Sequence, residues 1–215
     1  MPIKLIAFDL DGTLIDSSVD ITNALNYALE PYSRQRLSTG DTIKLIGEGI
    51  NRLIEKLVGD RGGAVADAAM KRFLDHYTQH ILDFTTVYFG VEETLERLDD
   101  YKKAVISNKR EDLSRMVLDG LRLSRYFDII IGSDTTPERK PSPVPILKAL
   151  SEMNINASDA VIVGDSNYDV DAGKAAGVIT IAVTYGYRPR EVIAHADYII
   201  DKMTDLVPVL ARINS

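Results

Sequence analysis

Two aspartates, Asp9 and Asp11, lie one residue apart in the segment FDLDGT, directly after the apolar run Ile3–Phe8. If this run is a β-strand, residues two positions apart point to the same side, so both carboxylates would converge at its carboxyl end. Gly12 permits a sharp turn there. Adjacent carboxylates repel each other unless a cation lies between them, and all-oxygen ligands favour a hard ion such as Mg²⁺. The spacing therefore indicates a magnesium site, with an acidic turn of no function as the alternative.

Further polar residues follow other apolar runs. Ser107 and Asn108 end one run, Asp165 ends another, and Asp169 comes one helical turn later in GDSNYD. Between these two runs lies Lys140, in the segment ERKPSP, where the following proline biases the lysine toward an extended conformation. The carboxyl ends of parallel strands meet at the edge of an α/β sheet where ligands bind. Carboxylates, hydroxyl and amide donors and one ammonium at that edge would form a phosphoryl-transfer site.

Each of these residues also has a simpler interpretation. Ser107 and Asn108 could form an ordinary strand-to-helix turn, and Lys140 could be a solvated surface lysine. Asp169 could be a first-turn carboxylate that the helix dipole favours. An EF-hand calcium loop does not fit, because Leu14 occupies a position at which such a loop requires glycine. The presence of all these segments in one chain favours a shared site over the separate interpretations.

The apolar runs that would position these residues are short, rich in Ile and Val, and almost continuously apolar. Strands that are buried on both faces of a parallel sheet have this pattern. The predicted strands are Ile3–Phe8, Ala104–Ser107, Phe127–Ile131, Ala160–Gly164, Ile179–Val183 and Tyr198–Ile200. Amphipathic helical patterns lie between most of them, at Glu92–Leu98, Glu111–Asp119, Val144–Met153 and Tyr168–Ala176. This alternation predicts an α/β fold, a doubly wound parallel sheet with a Rossmann-like core.

The first connection is too long to be one crossover helix. No strand pattern is present from about residue 16 to residue 83, and helical patterns lie at Ser18–Leu29, Thr42–Val58 and Ala64–Leu82. We therefore expect a small helical cap domain, residues 16–84, inserted into an α/β catalytic core of residues 1–15 and 85–215. The GEG sequence at 47–49 could be a helix break or a loop that closes on the substrate.

The composition argues against several classes of partner and site. Of the 215 residues, 45% are hydrophobic and 27% are charged, which is enough for a large core and a soluble surface. The net charge of -7 argues against nucleic acid and against an anionic membrane as partners. Because there is no cysteine, disulfides and zinc–thiolate sites are excluded, and a cytoplasmic location is expected.

The motifs DLDGT, ISN, KPSP and VGDSNYD, in that order, resemble the four motifs of the haloacid-dehalogenase-like hydrolase superfamily. The helical insert after the first motif resembles the subclass that includes phosphoglycolate phosphatases. The resemblance implies a Mg²⁺-dependent phosphatase that forms an aspartyl-phosphate and acts on a small phosphomonoester, with 2-phosphoglycolate as the leading candidate. The expected assembly is a monomer or a homodimer. One departure is Tyr88-Phe89-Gly90, where relatives commonly have a Tyr-Pro-Gly type sequence.

The resemblance also implies roles for the acidic residues. Asp9 would be the nucleophile that attacks phosphorus. Asp11 would protonate the leaving oxygen and would then deprotonate the attacking water. Mg²⁺ would be held by Asp9, by Asp165 and by the backbone carbonyl of Asp11. Asp169 would support the ion directly or through water.

Other residues would bind the substrate. Thr13, Ser107 and Asn108 would donate hydrogen bonds to the phosphoryl oxygens. Lys140 would neutralise the charge on these oxygens and anchor Asp9.

Two pairs of residues in the expected cap domain are also candidates. Lys44 and Arg52 flank the GEG sequence and could bind a substrate carboxylate. His76 and His80 have the i,i+4 spacing of two metal ligands on one helix face. No third ligand is evident nearby, so we expect these histidines on the cap surface.

Three other functions fit the sequence less well. Sugar phosphomutases that resemble this chain have His where it has Ile21, and Glu where it has Gly164. Dehalogenases that resemble it lack the second aspartate, here Asp11. A non-catalytic binding protein would tolerate the loss of Asp9 or Lys140, and both are present. Among phosphatase substrates, a sugar phosphate, a nucleotide or pyrophosphate remains open beside 2-phosphoglycolate.

Overall fold

The structure is a computed structural model that describes residues 2–32 and 34–215. The chain forms two compact units, one of Met1–Asp16 with Val87–Ser215 and the other of Ser17–Thr86. We call the first the core unit and the second the inserted unit. Each unit has its own packed elements, and the core unit contains every residue that the sequence assigned to the metal and the substrate phosphate.

The core unit is built on a parallel sheet. In chain order the strands are β1 (Leu5–Phe8), β2 (Ile15–Asp16), β3 (Thr86–Val87), β4 (Lys102–Ile106), β5 (Ile129–Ile131), β6 (Ala160–Gly164), β7 (Ile179–Val183) and β8 (Tyr198–Ile200). Within the described residues, six of them form one sheet in the order β5-β4-β1-β6-β7-β8, with every neighbouring pair parallel. The short strands β2 and β3 pair separately.

Helices connect the strands of the core unit and make up most of the inserted unit. They are α1 (Ser18–Leu29), α2 (Thr39–Leu45), α3 (Ile50–Val58), α4 (Ala64–Tyr77), α5 (Val91–Glu96), α6 (Glu111–Gly120), α7 (Val144–Met153), α8 (Asn167–Ala176) and α9 (Leu206–Ile213). Throughout residues 2–32 and 34–215, no helix combines the length and the apolar character needed to span a membrane.

The central strand β1 is buried on both of its faces. Leu5 and Ala7 belong to an apolar cluster that includes residues of α7 and α8. Ile6 and Phe8 alternate with them, so they face the opposite side of the sheet, and they are buried as well. Burial on both faces explains why the strand sequences are continuously apolar rather than alternating. The predicted fold class, a doubly wound parallel sheet with an inserted helical domain, is confirmed.

The helices of the inserted unit differ from the sequence prediction. The prediction of one helix over Thr42–Val58 is wrong, because the chain forms α2 and α3 with a break between them. Ile46 is extended, and Gly47 and Gly49 have φ angles of 123° and 84°. Residues with side chains rarely adopt such angles, so these two glycines favour a loop over a continuous helix. In addition, α4 ends at Tyr77, five residues before its predicted end.

The two ends of the inserted unit are tied together by Asp20. This buried residue lies in the first turn of α1, and its carboxylate accepts hydrogen bonds from the segment that follows α4. The donors are the backbone N–H of Phe84 at 3.0 Å and the N–H and hydroxyl of Thr85 at 2.8 and 2.7 Å. The buried carboxylate is therefore paired with several donors, as burial of a charge requires.

The candidate residues of the inserted unit lie on separate elements. His76 is on α4, and its ring centroid is 4.4 Å from that of His80 and 4.6 Å from that of Tyr27. Among the described residues, neither histidine belongs to a group of three possible metal ligands. Lys44 is on α2 and Arg52 is on α3. Their binding of a substrate carboxylate stays a prediction.

The buried apolar cluster against the sheet predicts that shortening one of its side chains will strongly destabilise the fold. Ile162 on β6 belongs to that cluster and is fully buried, so Ile162→Ala should lower the free energy of unfolding by about 2–5 kcal/mol. Leu147→Ala, on the exposed face of α7, is the matched control and should change it by less than about 0.5 kcal/mol. Urea denaturation measures both values, and equal losses would contradict the assigned core.

Candidate active site

Three neighbouring strands of the core unit end at the same edge of the sheet. Because β1 lies between β4 and β6 and all three are parallel, Asp9, Ser107 and Asp165 follow adjacent carboxyl ends. The backbone N–H of Asp9 donates to the carbonyl of Val163 at 2.9 Å, which extends the ladder to the first residue of the site. This edge is where open α/β sheets bind their ligands.

Asp9, Asp165 and Asp169 form a carboxylate cluster. One oxygen from each lies within 4.8 Å of the others. Asp165 and Asp169 are buried, and the Asp9 side chain is 13% exposed. Burial and the Asp169 charge raise the pKa of Asp9 to about 6, and burial with the charges of Asp169 and Asp9 raises the pKa of Asp165 well above its ordinary value. Carboxyl groups held this close favour a proton or a cation between them.

Lys140 supplies a positive charge to this cluster. Its Nζ is 3.0 Å from Asp9 Oδ1 and 2.6 Å from Asp169 Oδ1, and its side chain is 1% exposed. The same Nζ donates to the carbonyl of Ile106 at the end of β4. Burial lowers the pKa of Lys140, but the charges of Asp169 and Asp9 outweigh burial, so the pKa is raised and the ammonium stays charged. Asn108 Nδ2 donates to the Lys140 carbonyl at 2.9 Å, which holds the loop.

The carboxylates of Asp169 and Asp165 are held by different kinds of hydrogen-bond donor. Asp169 Oδ1 accepts from Lys140, and Oδ2 accepts from the N–H and hydroxyl of Ser166 at 3.1 and 2.6 Å. The bond from the Ser166 N–H belongs to the capping box that begins α8. Asp165 Oδ2 accepts from the backbone N–H of Tyr187 at 2.7 Å. Asp169 therefore connects the lysine of one loop to the start of a helix.

Two glycines allow the backbone to approach Asp165 closely. Gly12 has a φ of +90°, and a Cβ there would lie 2.5 Å from Asp165 Oδ2. A Cβ on Gly186 would lie 2.2 Å from Asp165 Cβ and 2.4 Å from the Gly12 carbonyl oxygen. The two loops therefore form a cradle around this carboxylate that leaves no space for further side chains.

Comparison with known proteins identifies the family. Residues 6–183 match the family model of the haloacid dehalogenase-like hydrolases. The chain belongs to this family. Of its curated relatives, a phosphoglycolate phosphatase from Aquifex aeolicus is 41% identical over 186 residues, which cover 86% of this chain and 86% of the relative. A phosphoglycolate phosphatase from Chromobacterium violaceum is 36% identical over 215 residues, which cover 97% and 96% of the two chains.

Solved structures of other proteins have the same fold. A predicted phosphoglycolate phosphatase from Haemophilus somnus matches 96% of this chain and 97% of its own, with a TM-score of 0.89 and 27% identity. A predicted phosphatase from Clostridium acetobutylicum matches 99% of this chain and 100% of its own, with a TM-score of 0.88 and 28% identity. Together with the curated relatives, they make the chain a phosphoric monoester hydrolase of the phosphoglycolate-phosphatase-like subclass.

The predicted phosphate-binding residues of this hydrolase lie at the same edge of the sheet. Thr13 is buried, and its Oγ1 is 3.5 Å from Asp165 Oδ1. Ser107 Oγ accepts from the backbone N–H of Lys109 at 3.3 Å. Asn108 is buried, and its amide nitrogen donates to the loop that carries Lys140. Their contacts with a phosphoryl group stay a prediction.

Lys109 is a residue of this hydrolase site that the sequence motifs did not reveal. Its Nζ lies 3.1 and 3.2 Å from the two carboxylate oxygens of Asp11. The Lys109 and Asp11 side chains are only 6% and 11% exposed. The available signal was its position directly after Ser107 and Asn108, but a lysine after a strand is also common on a solvated surface.

A second group that the motifs did not reveal comes from the segment after β7. The hydroxyl of Tyr185 donates to the Thr13 carbonyl at 2.8 Å, and the hydroxyl of Tyr187 donates to Asp16 Oδ1 at 3.0 Å. The Tyr185 ring also contacts that of Tyr88, with 4.9 Å between the centroids. These contacts fix the loop that follows the two motif aspartates, and no sequence spacing indicates them.

The cradle around Asp165 predicts that Gly12→Ala should damage activity. The new Cβ must displace the Asp165 carboxylate, and a displacement of about 1 Å can lower kcat/KM on the order of 10²-fold. Gly62→Ala is the matched control, because Gly62 also has a positive φ but has open space around it. Both variants carry backbone strain of about 1 kcal/mol, so only the first should lose activity. Phosphatase assays of both variants measure the difference, and normal activity of Gly12→Ala would contradict the cradle.

Proposed function

We propose that this hydrolase is a Mg²⁺-dependent phosphatase of a small phosphomonoester that forms an aspartyl-phosphate on Asp9. The observation that carries the proposal is the position of Lys140, whose buried ammonium contacts both Asp9 and Asp169 beside Asp165. A fixed positive charge next to a carboxylate at the ligand-binding edge of the sheet lowers the repulsion that an incoming phosphate dianion would meet.

Asp9 is the proposed nucleophile. Its carboxylate oxygen attacks phosphorus, a new P–O bond forms, and the bond to the ester oxygen breaks with its electron pair on the leaving group. Lys140 holds Asp9 by the contact at 3.0 Å and carries charge that compensates the phosphoryl oxygens. Water then cleaves the aspartyl-phosphate and restores Asp9.

Asp11 is the proposed acid and base. It gives a proton to the leaving oxygen in the first half of the reaction and takes a proton from the attacking water in the second half. Thr13, Ser107 and Asn108 are the proposed donors to the phosphoryl oxygens. Their buried positions at the carboxyl edge of the sheet support this role, because donors that are already fixed need no reorganisation during the reaction.

The clustered carboxylates fit a hard divalent cation, since every ligand is oxygen and their burial is unfavourable without a compensating charge. Asp9, Asp165 and the backbone carbonyl of Asp11 would hold Mg²⁺. When bound, the ion would offset repulsion between the nucleophile and the phosphate. Both oxygens of Asp169 accept hydrogen bonds from Lys140 and Ser166, so we assign Asp169 an indirect part in holding the ion.

We propose 2-phosphoglycolate as the substrate. The support is the name shared by relatives that are 36–41% identical over most of the chain. The net charge of -7 fits a small metabolite bound through local positive groups better than nucleic acid or an anionic membrane. We also propose a cytoplasmic enzyme that is a monomer or a homodimer.

The covalent mechanism predicts that Asp9→Asn should lower kcat on the order of 10³-fold or more, because the amide removes the attacking charge with little change in shape. Asp99→Asn, an exposed substitution before β4, is the matched control and should retain activity. When the reaction is quenched with acid, the native protein should carry phosphate on the peptide that contains Asp9. The Asp9→Asn variant should carry none there. Near-normal turnover of Asp9→Asn in a clean preparation would refute the nucleophile.

The metal site predicts a pH dependence of stabilisation by Mg²⁺. Burial and nearby carboxylates raise the pKa of Asp9 to about 6 and raise the pKa of Asp165 well above its ordinary value. In metal-free protein these protons stabilise the folded state below the unfolded pKa, and the contribution of Asp9 is lost as pH rises through about 6. Mg²⁺ needs the deprotonated groups, so it should raise the Tm more near pH 7.5 than near about pH 5.

Calorimetry with and without Mg²⁺ at the two pH values measures this effect. Asp165→Asn is the control and should lose most of the increase in Tm at the higher pH, because it removes a proposed ligand. An equal increase in Tm at both pH values, or an unchanged increase in Asp165→Asn, would contradict the proposed ligand set.

The substrate is tested by kcat/KM on a panel of phosphoesters. We expect 2-phosphoglycolate to exceed hexose phosphates, nucleoside monophosphates and pyrophosphate. If kcat/KM for another member is tenfold higher, about 1.4 kcal/mol of transition-state stabilisation, the assignment of 2-phosphoglycolate is wrong. The phosphatase mechanism would still hold.

A further inference from the structure

The Lys109–Asp11 pair joins two loops that follow neighbouring strands. Asp11 comes after β1 and Lys109 comes after β4, and the two side chains meet through both oxygens of the carboxylate at 3.1 and 3.2 Å. With exposures of only 6% and 11%, the pair is largely shielded from water. Water and salt weaken the attraction within a buried ion pair less than within a surface pair. The attraction between Lys109 and Asp11 therefore restrains both side chains.

The backbone of Lys109 is itself held on two sides. Its N–H donates to Ser107 Oγ at 3.3 Å, and its carbonyl accepts from the N–H of Ser133 at 2.9 Å. The side chain that carries the ammonium therefore starts from a fixed backbone position, close to the end of the buried strand β4. A side chain anchored in this way can hold its partner in one orientation.

We propose that Lys109 is a positioning residue that orients the Asp11 carboxyl group for proton transfer to the leaving oxygen. This inference rests on the proposed function of Asp11 as the acid. During the step, the proton moves from the neutral Asp11 carboxyl group to the ester oxygen as the P–O bond breaks, and the Asp11 carboxylate that results pairs with the Lys109 ammonium, which keeps its own protons. Proton transfer needs a donor within hydrogen-bond reach of the leaving oxygen, so a carboxyl group that can rotate away is a poorer acid.

Lys109 and Lys140 have different partners in the site. Lys140 contacts Asp9 and Asp169, whereas Lys109 contacts Asp11. A residue that bound the phosphate would affect all phosphoesters alike. A residue that orients the acid should matter most for esters whose leaving group needs a proton, which are alkyl esters rather than activated aryl esters.

The test measures kcat/KM of Lys109→Met over a series of aryl and alkyl phosphates of increasing leaving-group pKa. We expect a loss on the order of 10²-fold for alkyl esters and a much smaller loss for activated aryl esters, so the slope of log kcat/KM against leaving-group pKa becomes steeper. Lys109→Arg should restore part of the alkyl-ester activity. Lys102→Met, which breaks an exposed lysine–aspartate pair at the start of β4, is the matched control and should leave the slope unchanged. An unchanged slope in Lys109→Met would overturn the inference.

A double-mutant cycle with Asp11→Asn tests the acid role of Asp11 separately from the positioning role of Lys109. Once Asp11 is an amide, Lys109→Met should cause little further loss of alkyl-ester hydrolysis. If Asp11→Asn alone leaves that hydrolysis intact, the proposed role of Asp11 fails. If Asp11→Asn is impaired but Lys109→Met costs as much in both backgrounds, only the positioning role fails. Thermal unfolding checks that each variant is folded. If Lys109→Met does not fold, Lys109→Gln replaces it in the same comparisons.

Discussion

The arrangement of the site depends on one buried ammonium, that of Lys140. A lysine whose side chain is 1% exposed is unfavourable unless it is paired, and here it is paired with Asp9 and Asp169. The same charge reduces the repulsion within a cluster of carboxylates that would otherwise not be stable together. The loop that carries this lysine must therefore be fixed, and the hydrogen bonds to Ile106 and from Asn108 fix it against the end of β4.

The topology of the sheet explains why these groups meet. From β1 the chain goes to β4 and β5 on one side, then returns to β6 on the other side of β1. The loops after β1 and β6 therefore diverge at the point where the strand order reverses, which is where open α/β sheets bind their ligands. Asp9, Lys140 and Asp165 reach that edge from different loops. The strand order brings these residues to one edge of the sheet, and the loops contribute their charges.

The two aspartates of the first motif have different ionic partners, which suits two different roles. Asp9 is next to Lys140, and Asp11 is next to Lys109. Asp165 instead accepts a backbone N–H from Tyr187, and burial with the neighbouring carboxylates raises its pKa strongly. A cation beside Asp165 would therefore stabilise its ionised form.

The sequence by itself determined the six strands of the main sheet, though not the short strands β2 and β3, and it determined which residues follow the strand ends, because buried strands and the i,i+2 spacing of Asp9 and Asp11 are local properties of the chain. It left the break between α2 and α3 as one of two interpretations of the GEG sequence, and the glycine φ angles there end the helical pattern. Only the tertiary structure decided the pair of Lys109 with Asp11, which are 98 residues apart, and that of Tyr187 with Asp16, which are 171 apart. Such contacts depend on which strands are neighbours, and local periodicity contains no information about strand order.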